Sequence, residues 1–264
     1  MIARRAGRHG YLRAVPVPGR LRRPSAIVLI GALILTALIA ADDADSSPRG
    51  AAFGIGRSVK DRKIEARELG DRSAGLKVLV VGSIHGDETQ GHRIVRRLRR
   101  QYSGGVKGAA IWTITTINPD GVAADERRNA HGVDLNRNFA HGFDPDLDGG
   151  YNSGPRPFSE PESRAVRRLS KRIDFDVAVW YHQPWGVTLI PCNSTASVAR
   201  SYAHLSGLPA SRRCDSYSPG SAISWQHHRF RTAAFVAELP GRRLHNREVR
   251  RHARAVVSLV RKLR

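Results

Sequence analysis

Four short apolar runs constrain this chain more than any other feature, because three of them end on a side chain able to bind a metal or move a proton. Leu76–Val81 (LKVLVV) empties directly into GSIHGDETQG, residues 109–117 (AAIWTITTI) lead into NPDG, residues 175–181 (FDVAVWY) stop at His182, and residues 233–237 (AAFVA) stop at Glu238. Runs this short and this rich in β-branched residues read as buried strands. Between them lie stretches with helical spacing. Residues 88–102 place Ile94, Val95 and Leu98 on one face amid arginines, residues 160–173 form a second stretch, and from Asn246 onward Val249, Ala253, Val256, Val257 and Val260 share a face.

Strands alternating with helices predict an α/β fold with a mainly parallel, mixed central sheet flanked by helices, and in such sheets sites gather at the carboxyl ends of the strands. At 264 residues there is room for one sizeable core. Residues 54–75 are charged and weakly patterned, and a short helix is expected over residues 60–69. Residues 141–157 (HGFDPDLDGGYNSGPRP) read as a surface loop framing the site.

Residues 1–41 stand apart. They hold seven Arg and no acid; Arg20, Arg22 and Arg23 precede an apolar run over residues 26–41, which a polar, acidic stretch follows. This order matches an export signal, and the sixteen-residue run is short of the ~20 that span a bilayer comfortably. The expectation is a signal peptide or N-terminal membrane anchor over residues 1–41, a catalytic domain over 42–264, and no other membrane contact. The two cysteines, Cys192 and Cys214, lie beyond the leader and suit a disulfide in an oxidising compartment.

The net charge is +21, and +14 without the leader, which attracts polyanions such as anionic cell-wall polymer. No aromatic stacking platform or recognition motif points to nucleic acid.

His85 and Glu88 put an imidazole and a carboxylate three residues apart, so one turn of backbone can aim both at a cation. Zinc accepts such N and O ligands and needs a third from the protein. HxxE alone is a weak signal; His182, at the end of a different strand, strengthens it. Gly82, Gly86 and Gly91 suit close backbone approach in this loop. Downstream, Arg127, Arg128, Asn129, Asn136, Arg137 and Asn138 crowd guanidinium and amide groups that suit a carboxylate or a developing oxyanion. NPDG is equally a good turn sequence. Asp87 and Asp134 are placed to orient a ligand histidine. The other histidines past the leader, among them His92, His131 and His252, have no metal-demanding spacing and read as surface or packing residues.

Taken together, HGDE, NPDG, R-x-N-x-x-G-V-D-L-N-R-N-F, a later strand ending in His and a still later one ending in Glu resemble the zinc metallocarboxypeptidase family. The nearest likeness is to its bacterial branch of murein peptide amidases and γ-D-glutamyl-diaminopimelate peptidases. The resemblance implies one Zn2+ held by His85, Glu88 and His182. It implies that Asn136 and Arg137 bind the substrate's terminal carboxylate, that Arg127 polarises the scissile carbonyl, and that Glu238 is general base and acid. The arginine pair at 127 and 128 is resolved in favour of Arg127, two residues before Asn129. The family's catalytic tyrosine, where present, precedes the final Glu by about twenty residues, which suggests Tyr217 as a substrate-binding residue.

The expected protein is thus an exported, monomeric zinc peptidase acting on a peptide with a free C-terminal carboxylate, in particular a murein peptide. Two alternatives are a zinc deacylase of the aspartoacylase and succinylglutamate desuccinylase type and a non-catalytic wall binder. NPDG and the leader disfavour the first, and a binder has no need of Glu238.

Overall fold

The computed structural model describes residues 50–264 apart from 72, 148–150, 213 and 215–217, so the leader and Tyr217 lie outside the described residues. In chain order the first elements are β1 (Ala52–Arg57), β2 (Lys63–Gly70), β3 (Leu76–Val81), α1 (Gln90–Gln101), β4 (Ala109–Ile114) and α2 (Pro119–Ala124). A 3-10 turn (Leu135–Arg137) comes next, then α3 (Pro161–Ile173), β5 (Val177–His182), β6 (Trp185–Ile190) and α4 (Ala196–Ser206). The chain ends with β7 (Ala210–Arg212), α5 (Ala222–Phe230), β8 (Ala233–Pro240) and α6 (Asn246–Lys262).

All eight strands form one sheet in the order β1-β2-β4-β3-β5-β8-β6-β7. Its centre is parallel: β3 lies between β4 and β5, and β5 pairs with β8. The flanks are where direction reverses, with β2 antiparallel to β4, β1 antiparallel to β2, and β6 antiparallel to β8. A mixed sheet with a parallel centre is the architecture that the four apolar runs predict.

These central strands are mostly apolar because helices cover both faces. Side chains alternate across the sheet, so Val78 and Val80 of β3 join α1, α4 and α6 in one cluster, while Leu79 and Val81 join α3 and α5 in another. Ile94, Val95 and Leu98 are the buried stripe of α1, and Val249, Ala253, Val256, Val257 and Val260 belong to that of α6. Burying side chains of this size contributes about 1.5–3 kcal/mol each relative to exposure.

Residues 60–69 do not form a helix. Most of them make up β2, whose Ile64, Ala66 and Glu68 are buried on alternate positions. Lys, Glu, Ala and Arg favour helix, but pairing with β4 on one side and β1 on the other overrides that weak propensity.

Cys192 and Cys214 are bonded, with S–S 2.07 Å. The bridge ties the segment after β6 to the segment after β7. Among the described residues, no helix is long and apolar enough to cross a membrane.

Candidate metal centre

Because β3, β5 and β8 run parallel, their carboxyl ends meet at one edge of the sheet. His182 is the last residue of β5 and is paired in register with Glu238 of β8. The loop after β3 brings His85 and Glu88 to the same edge, and this loop needs glycine. A Cβ on Gly86 would lie 2.0 Å from the backbone carbon of Gly121, so the HGDE loop packs directly against NPDG. A Cβ on Gly91 would meet the Gly82 carbonyl oxygen at 2.1 Å.

NPDG is scaffold. Asn118 is buried and caps α2, accepting from the Gly121 N–H at 2.9 Å, while its Nδ2 donates to the carbonyls of Arg127 and Arg128 at 3.3 and 3.2 Å. The motif opens α2 rather than forming a separate turn, and the Asn118 side chain ties that helix start to the backbone at Arg127. Asp120 accepts from the Lys60 N–H at 2.8 Å and from Arg62 at 2.5 Å, which fastens the motif to the turn between β1 and β2.

His85, Glu88 and His182 offer one ligand atom each within 4.8 Å of one another, and all three are buried. Nδ1 of His85 lies 2.8 Å from Glu88 Oε1, and Nδ1 of His182 lies 2.9 Å from Glu88 Oε2. On its far side His85 Nε2 donates to Asp134 Oδ1 at 3.1 Å, and that tautomer leaves the Nδ1 lone pair facing a carboxylate. Two acceptors so close need a proton or a cation between them. Two imidazole nitrogens and one carboxylate, oriented from behind by Asp134, form a donor set that fits zinc with a fourth position left open.

Arg127 closes the ring around this group. Its Nη1 donates to Glu88 Oε1 at 3.0 Å and to His85 Nδ1 at 3.2 Å, and its Nε donates to Asp134 Oδ2 at 3.1 Å. Burial alone would raise the pKa of Glu88, but His182 and His85 outweigh it and hold the carboxyl well below its usual range. Burial likewise opposes the charge on Asp134 and is outweighed by His85 and Arg127. Burial would lower His85, yet Asp134 and Glu88 raise it.

Glu238 behaves differently. It is only 6% exposed, and its Oε2 has no hydrogen-bond partner among the described residues. Burial pushes its pKa up; His182 partly opposes this and Glu88 reinforces it. An unpaired buried carboxylate oxygen costs on the order of 1–3 kcal/mol or more. Such a group points to a chemical task rather than a structural one.

These residues line one open cleft of about 240 Å3, together with Asn136, Arg137, Tyr151, Gln183 and Trp185. Asp134 caps the 3-10 turn, accepting from the Asn136 N–H at 2.9 Å, and thereby sets the positions of Asn136 and Arg137. Asn136 Oδ1 accepts from the Ala222 N–H at 3.0 Å, which leaves its Nδ2 donors for a ligand. The Arg137 guanidinium lies 4.7 Å from the centre of the Tyr151 ring. Thus His85, Glu88, Arg127, Asn136, Arg137, His182 and Glu238 share the cleft.

Tyr151, Gln183 and Trp185 were not read from the sequence as site residues. Gln183 follows His182 and donates its N–H to Glu88 Oε2 at 3.2 Å. Trp185 is 59% exposed at the mouth. The closeness of Gln183 and Trp185 in sequence to His182 was the available signal. Among the other histidines, His92 and His252 are buried packing residues bonded to Ser83 at 2.8 Å and Tyr202 at 2.9 Å, and His131 contacts Glu160 at 2.7 Å.

Residues 41–243 match the family model described as zinc carboxypeptidase. The chain belongs to the zinc carboxypeptidase family. Among its relatives is murein peptide amidase A of Escherichia coli K12, 29% identical over 160 residues, which are 56% of this chain and 64% of that protein. Another is carboxypeptidase SOL1 of Arabidopsis thaliana, 26% identical over 164 residues, 57% of this chain and 32% of that protein. The chain therefore spans between a third and about two thirds of the length of these curated relatives.

Among solved structures, murein-tripeptide amidase from Escherichia coli O157 superposes with TM-score 0.65 at 25% identity, over 81% of this chain and 94% of that one. Carboxypeptidase A of Helicoverpa armigera superposes with TM-score 0.69 at 15% identity, over 80% of this chain and 68% of that one. That second likeness is one of fold. Zinc is the metal of the family, and the donor set described above suits it.

Proposed function

We propose that the chain is an exported zinc metallopeptidase that removes a C-terminal residue from murein peptides. The observation that carries this reading is the division of one cleft into a metal-binding group, a carboxylate clamp and an unpaired buried carboxylate. Bound zinc supplies Lewis acidity, polarising a carbonyl and lowering the pKa of water towards ~7. Arg137 and the free Nδ2 of Asn136 hold the substrate's terminal carboxylate, with the Tyr151 ring backing the guanidinium. Arg127 stands beside the position where negative charge develops on the scissile carbonyl oxygen. Glu238 takes a proton from water at its unpartnered Oε2 and returns it to the leaving nitrogen, a role that its raised pKa favours.

Murein as the substrate is supported by the likeness to two bacterial murein amidases. Export is supported by the arginine-flanked apolar run of residues 26–41 and by the Cys192–Cys214 bond, which suits an oxidising compartment. The test is mass spectrometry of products from purified wall peptides, run beside a panel of N-acyl amino acids. Loss of a C-terminal residue or diaminopimelate from wall peptides is the expected result. Hydrolysis of N-acyl amino acids alone would overturn the reading in favour of a deacylase.

A further inference from the structure

Away from the cleft, α1 and α6 lie side by side and turn their arginines to a common groove. The twelve residues of α1 include Arg93, Arg96, Arg97, Arg99 and Arg100 and no acid. Two adjoining cavities of about 210 and 180 Å3 run between the helices and share Arg100, Asn246 and Val249; Arg93 and Arg96 line the first, and Arg97 and Arg250 the second. Arg93 is fixed across the groove, donating to the Leu244 carbonyl and, at 3.0 Å, to Asn246 Oδ1.

The groove is short of counter-charge. Among the described residues Arg96, Arg100 and Arg250 form no ion pair, and Glu248, the acid within α6, is engaged by Arg242 at 2.8 Å. Arg93 with Arg97 and Arg96 with Arg100 are like-charge pairs one turn apart, a spacing that destabilises a helix. The crowding is felt by neighbours: burial, then Arg67 and Arg96, brings Arg99 down to about 10, and burial, then Arg96, brings His92 down to about 4. A bound polyanion would relieve this repulsion, and guanidinium groups match phosphate oxygens in pairs.

The surroundings narrow the ligand. The exposed large apolar side chains among the described residues are Tyr151, Trp185 and Leu263, and none lines the groove. It therefore lacks a platform for stacking bases and a wedge for entering a bilayer. Each cavity is lined by three arginines, so a chain of phosphates lying along both meets guanidinium groups throughout. We propose that the α1–α6 groove binds a linear, base-free phosphate polymer and holds the enzyme on it. α1 begins two residues after Glu88, so the groove continues directly from the loop that carries His85 and Glu88.

The test uses the full chain and fluorescent inorganic polyphosphate, with affinity measured across a salt series. A groove variant, Arg96→Gln with Arg100→Gln and Arg250→Gln, is compared with a variant of equal charge elsewhere, Arg156→Gln with Lys171→Gln and Arg229→Gln. The expected result is a loss of roughly tenfold or more in the groove variant only, with the salt slope reduced by about two to three. Turnover of a small peptide should stay unchanged in both variants. Equal affinities in wild type and groove variant, or equal losses in both variants, would overturn the proposal. So would binding of duplex DNA or phosphatidylglycerol vesicles as tight as that of polyphosphate and lost with the same arginines, since the groove would then serve nucleic acid or membrane.

Discussion

The cleft holds two buried glutamates, and their surroundings drive them in opposite directions. Glu88 and Glu238 are equally exposed at 6%, yet every oxygen of Glu88 is engaged, by His85, His182, Arg127 and the Gln183 N–H, while Glu238 Oε2 has no partner among the described residues. Neighbouring imidazoles pull the pKa of Glu88 down; burial pushes that of Glu238 up. One carboxylate is thereby held charged, and the other is drawn towards its protonated form. Environment, not residue type, assigns the two roles.

The largest effect should come from breaking the metal side. His182→Ala should remove zinc and bring turnover to background, as measured by metal analysis and peptide hydrolysis; bound zinc with normal turnover would remove His182 from the ligand set. Next in size is the clamp. Arg137→Ala should lower kcat/KM by roughly 10- to 100-fold, mostly through KM, because a charge-assisted pair contributes about 1.5–3 kcal/mol. Substrates amidated at the C-terminus should lose the same factor on wild type and nothing further on the variant. Asp134→Asn keeps the shape but weakens the partner of His85 Nε2, and zinc affinity should fall about 10- to 100-fold in a chelator competition.

The smallest effect lies outside the cleft and sharpens the comparison with the raised His85. Burial and then Arg251 hold His252 down to about 4. An unfolded imidazole near 6.5 takes its proton first, so this group's contribution to stability is present above pH ~6.5 and is lost as pH falls towards ~4. Thermal melts across that window should show a decline of a few kcal/mol at most, made shallower by His252→Gln. A decline of unchanged slope in the variant would assign it to other groups.

How much of this was legible depended on what each residue type advertises. The strands β3, β4, β5 and β8 are largely buried on both faces, so they are predominantly apolar and stand out from the sequence. The β2 strand, charged on one face, was not distinguishable from helix, because its period of two appears only once its partners are known. Likewise β6, α4 and α5 carry glycine, polar and aromatic residues without a clear stripe. In the cleft, His85, Glu88, Arg127, Asn136, Arg137, His182 and Glu238 were visible as candidates through their motifs and strand ends. Tyr151 was not, since an aromatic in a loop carries no mark of the guanidinium that it will face.

The division between the two glutamates is tested most directly by making the same substitution on each side. Glu238→Gln should keep a full equivalent of zinc and lose about two to four powers of ten in turnover, whereas Glu88→Gln should lose the metal itself. Zinc content and single-turnover hydrolysis measured on the two variants together would decide it. Zinc lost from Glu238→Gln, or turnover retained by it, would contradict the account.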